Sequence, residues 1–219
     1  MATKRTLTEA ETLEQYRVAL QNVEDQATIT TTMAEFGYDA TKIAEGKTLL
    51  GETLQAYNTN KIEDDQSIEA YSNFSNLKNQ LENTYRLHRK KAKVIYRNDS
   101  ITLNKLAITG SMPSAYIKRL EIIKKFYNEA QSDTTIQTAL ATLKLTLDDL
   151  TTATTLIANL EATRATYLKE KGESQDATKT KDQALTNMDE WMRDFYAVAK
   201  IALDDNPQLL ESLNKFVRS

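Results

Sequence analysis

Residues 29–50 read ITTTMAEFGYDATKIAEGKTLL, and residues 136–157 read IQTALATLKLTLDDLTTATTLI. The two stretches share one apolar pattern. Ile29, Met33, Phe36, Tyr38, Ile43, Leu49 and Leu50 are answered by Ile136, Leu140, Leu143, Leu145, Leu150, Leu156 and Ile157, each 107 positions on. Each stretch reads as a short helix, a turn and a capped longer helix. Gly37 suits a left-handed helix end, and Asp39 and Thr146 suit N-caps. Gly46 and Gly51 fall inside the longer helix, where glycine is unfavourable by up to about 1 kcal/mol relative to alanine. Their counterparts are Ala153 and Ala158, so a second helix is expected to cross closely at these positions.

The same offset extends outward. Thr8-Glu9-Ala10-Glu11 is a capping box. Ala10, Leu13, Tyr16, Leu20 and Val23 form a helical stripe answered by Ile117, Leu120, Ile123, Tyr127 and Ala130. Pro113, in the Gly/Pro cluster Thr109 to Pro113, suits the first turn of the second copy's opening helix. Phe74, Leu77, Leu81, Tyr85, His88, Ala92 and Ile95 form a further stripe, the last six of which are matched by Ala184, Met188, Met192, Phe195, Ala199 and Ala202. Short helices follow Asn98-Asp99 and Asn206-Pro207, carrying Leu103 and Leu106 in one copy and Leu210 and Leu213 in the other. Residues 58–67 and 165–174 lack an apolar stripe, and Gly172 lies within the second. A turn is expected in each, reversing the chain into an antiparallel helix. The alternative is one helix of about 58 residues.

The expected fold is therefore all-α: a tandem duplication of a roughly 107-residue unit, with three long and two short helices in each copy, packed as antiparallel bundles. Residues 1–109 and 110–219 are the expected repeats, closely packed about a pseudo-twofold axis. Five Gly and two Pro in 219 residues fit long helices with few connections. A charged fraction of 27% at a net charge of −3 argues against disorder.

The chemistry of sites is sparse. With no cysteine, thiol nucleophiles, disulfides and Cys-ligated metals are excluded. No phosphate-binding glycine loop, EF-hand spacing or nucleophile elbow occurs. His88 is the one histidine. It lies on an apolar stripe opposite Phe195 in the comparison of the copies, so it is read as a core-edge ring. Glu63-Asp64-Asp65, Asp148-Asp149, Asp189-Glu190 and Asp204-Asp205 read as caps and solvated faces. No cofactor, metal or catalytic residue is expected, and an enzyme is not favoured. There is no apolar signal segment and no membrane-spanning run, which makes a cytoplasmic protein the default.

Arg86, Arg89, Lys90, Lys91, Lys93 and Arg97 form the strongest local charge anomaly. Lys118, Arg119, Lys124 and Lys125 follow on the next long helix. Tyr57, Tyr71, Tyr116, Tyr167 and Tyr196 are matched by polar residues and read as exposed or half exposed, whereas Tyr16, Tyr38, Tyr85, Tyr96 and Tyr127 read as core rings. Arg86, Arg89, Lys90, Lys93, Arg97, Tyr57, Tyr71 and Tyr196 are the candidate partner-binding residues. The first expectation is a non-enzymatic scaffold or interaction module that binds protein, a second copy of itself included. A nucleic-acid-associated protein using the basic face is second, weakened by the net negative charge. A small-ligand binder or enzyme with a site between the repeats is third.

Overall fold

The computed structural model describes residues 7–214, and among them every regular element is a helix. In chain order these are α1 (Glu9–Asp25), α2 (Ala27–Glu35), α3 (Ala40–Ile95), α4 (Ser100–Lys105), α5 (Tyr116–Ser132), α6 (Thr134–Ala141), α7 (Leu147–Ala202) and α8 (Leu209–Ser212). None is long and apolar enough to cross a membrane.

The turns expected at 58–67 and 165–174 do not form. α3 and α7 are continuous helices of 56 residues each. The three long helices expected per copy are thus two, a 17-residue helix and a 56-residue one. The physical reason lies in polar packing. Thr53 is fully buried; its hydroxyl donates to the Leu49 carbonyl at 2.7 Å, and the Ala184 carbonyl, at 3.3 Å, shares the same hydrogen. Asn60 is buried, and its amide donates to the Thr178 hydroxyl at 3.1 Å. The Ser174 hydroxyl donates to Asp64 at 2.6 Å. Each such bond contributes only about 1 kcal/mol net, yet it lets a helix face without apolar residues meet a neighbour. Helical periodicity persists there in side chains that a hydrophobicity pattern does not register.

The chain groups into two compact units, one of Met1–Asp65 with Gly172–Ser219 and one of Gln66–Lys171. This grouping differs from the expected division at 109/110, because each continuous helix contributes residues to both units. In the first unit, the pairs Thr53/Ala184, Asn60/Thr178 and Asp64/Ser174 step in opposite directions, so these segments run antiparallel. Its core is built on Leu13, Leu20, Val23, Ile29, Met33 and Phe195. Full burial of each such side chain is favourable by about 1.5–3 kcal/mol. Trp191 stacks on Phe195, and both rings meet Tyr38 edge-on at 5.6 Å. A Cβ on Gly46 would stand 2.4 Å from the Trp191 ring. The expected close approach at Gly46 is present, made by one indole. At Gly51 nothing lies within 4 Å, so that expectation fails.

In the second unit, Tyr71 and Phe74 lie against Tyr167, while the Lys91 ammonium donates to the Lys144 carbonyl. Here too α3 and α7 run antiparallel. Tyr85, Phe126 and Tyr127 form an edge-to-face cluster at 5.1–6.2 Å. His88 is 7% exposed and shares a hydrogen bond of 3.0 Å with the Tyr127 hydroxyl. It is the core-edge ring that the sequence implies. Burial holds the imidazole below its ordinary value of 6.5; Asp149 opposes this and Lys91 adds to it. A depressed value means that the folded chain resists a proton the unfolded chain accepts. The stabilisation is complete above pH 6.5 and is lost as the pH falls below it. His88→Phe, which copies Phe195, is expected to flatten the decline in urea midpoint between about pH 7 and pH 5. An unchanged decline would remove His88 from the account.

Most helix boundaries follow local chemistry. The Thr8–Glu11 capping box is complete, and Thr146 and Asp149 form a second. Asp39 accepts from the Lys42 amide, and Asp99 from those of Ile101 and Thr102. Gly37 is left-handed, and so is Lys144 at the matching position. Ala107 and Asn214, also 107 apart, form a second left-handed pair. Two expected starts shift. α5 begins at Tyr116, beyond Pro113, and leaves Ile117 exposed. α8 begins at Leu209 without a side-chain cap, so Asn206 does not act as one.

Candidate functional site

α3 presents Glu82, Tyr85, Arg86, Arg89, Lys90 and Lys93 along one face, at the 3- and 4-residue spacing of a helix. Arg119 and Ile123 of α5 and Met112 of the preceding loop complete a cleft of about 260 Å³ in the second unit. Five cationic side chains line it against one carboxylate.

Two of the cations are structurally committed. Arg89 donates to the Ile108 and Gly110 carbonyls at 3.1 and 2.6 Å, which anchors the loop between α4 and α5. Arg119 donates to the Pro113 carbonyl at 3.0 Å and to Glu82 at 2.9 Å. Arg86, Lys90 and Lys93 form no ion pair among the described residues. A basic helix face ordinarily neutralises itself against nearby acids, as Lys124 does with Glu161 and Lys105 with Asp133. This one does not. Burial pushes the Tyr85 hydroxyl upward, against the pull of Arg89, so it stays a neutral phenol at the cleft floor.

The first unit has a groove at matching positions. Asp189, Arg193, Tyr196, Ala197 and Lys200 stand where Glu82, Arg86, Arg89, Lys90 and Lys93 stand in the other, with Tyr16 and Thr12 in place of Ile123 and Arg119. The Tyr16 hydroxyl donates to Asp189 at 2.9 Å. Burial, helped by Asp189, raises the Tyr16 phenol far above its ordinary value, and burial pushes Tyr196 up to about 12. Two cations remain, so this groove lacks the electropositive character of the first.

The candidate partner-binding residues are thus separated. Arg86, Arg89, Lys90 and Lys93 converge on the cleft. Arg97 lies exposed beyond the end of α3, away from it. Tyr57 is half-buried beneath the Lys61 ammonium in the first unit. Tyr71 is 54% exposed beside Tyr167 in the second. Tyr196, expected to be exposed or half exposed, is 8% exposed against Phe195; a ring there fills the core where Arg89 reaches a loop carbonyl. Met112 and Glu82 join the cleft without a sequence signal, since neither a loop methionine nor one glutamate among many stands out. Of the acidic clusters, Asp149 serves a helix cap and Asp64 a serine.

No protein-family model matches the chain, and comparison with curated proteins and with solved structures found no similar one.

Proposed function

We propose that the chain is a tandem duplication of a roughly 107-residue helical unit that works as a non-enzymatic interaction module, with an acidic protein surface as its partner. Three features support the duplication. α1 and α5, and likewise α3 and α7, begin 107 residues apart and match in length. The left-handed residues recur at that offset. The two grooves occupy matching positions.

The observation that carries the partner reading is the set of three cations on the cleft that form no ion pair among the described residues. Arg86 and Lys90 are exposed and Lys93 half-buried, so their mutual repulsion is small and screened, but together they offer an anion three cationic donors on one helix face. A second copy of the chain is one source of such a surface, because the second half is acidic at Asp194, Asp204 and Asp205. Nucleic acid is the weaker reading: Tyr85 is 3% exposed, so the cleft offers no aromatic platform for a base. In this cleft a whole small-molecule ligand is the weaker reading too, since the cleft's volume of about 260 Å³ falls just short of the roughly 300–1,000 Å³ of such pockets, a range that the first-unit groove at about 530 Å³ does reach.

Binding of poly-glutamate at low salt, followed by calorimetry, tests the reading, with light scattering across protein concentration to detect self-association. The wild-type chain is expected to bind or to self-associate, more weakly as salt rises. Arg86→Glu/Lys90→Glu reverses two exposed charges and is expected to abolish the response while leaving the helical spectrum unchanged. A wild-type chain that neither binds nor associates overturns it.

A further inference from the structure

The cleft is more selective than a basic patch. Its cations stand on the rim, but its floor is apolar, made by Met112 and Ile123 beside the buried Tyr85 ring. Ile123 is 2% exposed and packs into the core below. The walls are fixed by the carbonyl and carboxylate bonds of Arg89 and Arg119, so little ordering remains to be done on binding. We propose that the cleft seats one apolar side chain of a partner segment, with carboxylates of that segment on either side paired to Arg86, Lys90 and Lys93. This rests on the acidic-partner reading and specifies its chemistry.

Three considerations shape the occupant. The volume of about 260 Å³ suits an anchor side chain of a longer chain better than a complete ligand. Arg86 and Lys93 are seven residues apart on α3, about 10 Å at 1.5 Å per residue. An extended segment rises about 3.3 Å per residue and turns every second side chain to one face, so carboxylates four positions apart with the anchor midway all meet the cleft; they stand about 13 Å apart, a span that the long Arg86 and Lys93 side chains can meet. The matching groove cannot serve as a second site. There Ala197 replaces Lys90 and Thr12 replaces Arg119, while Tyr16 replaces Ile123 and brings a hydroxyl bonded to Asp189. One segment per chain is therefore expected.

The test uses fluorescence anisotropy with three short labelled peptides of equal charge at low salt. The first has leucine midway between two glutamates four positions apart; the second has serine in its place; the third has the same leucine moved outside the glutamates. The first is expected to bind the full chain at least about tenfold more tightly than the others, since burial of the leucine is lost in both controls. Saturation is expected at one peptide per chain. Met112→Ser is expected to erase most of the preference but keep the salt-dependent basal binding, and Arg86→Glu/Lys90→Glu to remove binding of all three. Equal affinity for the three peptides overturns the anchor while leaving the acidic-partner reading intact. A stoichiometry of two overturns the single-site assignment. No binding of any peptide overturns both readings, as does duplex DNA displacing the first peptide at stoichiometric concentration.

Discussion

Gly172→Pro is expected to destabilise the chain by about 3 kcal/mol or more. Gly172 lies deep inside α7, with thirty residues of helix following it to Ala202. Proline would remove one backbone donor there and drive its ring against the carbonyl four residues earlier. The site is otherwise permissive, since nothing lies within 4 Å of where a Cβ would stand. The effect thus isolates backbone continuity from packing. Gly172→Ala supplies the opposite sign: it adds helix propensity at an open position and is expected to stabilise by up to about 1 kcal/mol. Urea unfolding of the two variants beside wild type is the measurement. If α7 turned at this glycine, proline would be tolerated and alanine would bring no gain.

Gly46→Leu is expected to cost about 1–3 kcal/mol through overpacking. All three nearest atoms to an added Cβ belong to the Trp191 ring, at 2.4, 2.6 and 2.8 Å. A side-chain end can often yield to such a clash. Trp191 has little room to do so, because Phe195 stacks on one face and Tyr38 meets it edge-on. The sharper experiment is Gly46→Ala. Helix propensity alone favours alanine by up to about 1 kcal/mol, whereas the geometry requires a loss. Trp191→Thr combined with Gly46→Ala reproduces Thr84 and Ala153, the residues at the matching positions. The double variant is expected to be more stable than the two single losses predict, with a coupling of about 0.5–3 kcal/mol. Additive losses would place the indole away from Gly46.

The contrast between Gly46 and Gly51 shows where sequence reading stops. Both glycines face small residues in the other half, and both read as sites of close approach. Only Gly46 receives a neighbour. Small size permits contact but does not create it; a bulky partner has to point there, and Trp191 is 145 positions distant in the chain. The candidate cleft was legible to a similar degree. Arg86, Arg89, Lys90 and Lys93 stand out as a charge run, and helical spacing places them together. That Arg89 and Arg119 are occupied with loop carbonyls and a carboxylate, while Arg86, Lys90 and Lys93 are not, depends on where the loop at 106–115 runs.

The sequence by itself determined that the chain is helical and where most helix ends fall, though not that α3 and α7 run unbroken. The stripes, caps and left-handed ends follow from spacing and local hydrogen bonding, interactions that span only a few residues. It also placed His88 on a buried face, because a ring there continues an apolar stripe. The tertiary structure decided which helices pair. An antiparallel partner for residues 40–65 was anticipated in residues 66–97, immediately following. The partner is residues 172–202 of α7 instead, reached through Thr53, Asn60 and Asp64. Polar seams of this kind have a helical period but no hydrophobic one, and a chain that stays helical through them can find its partner only at a distance.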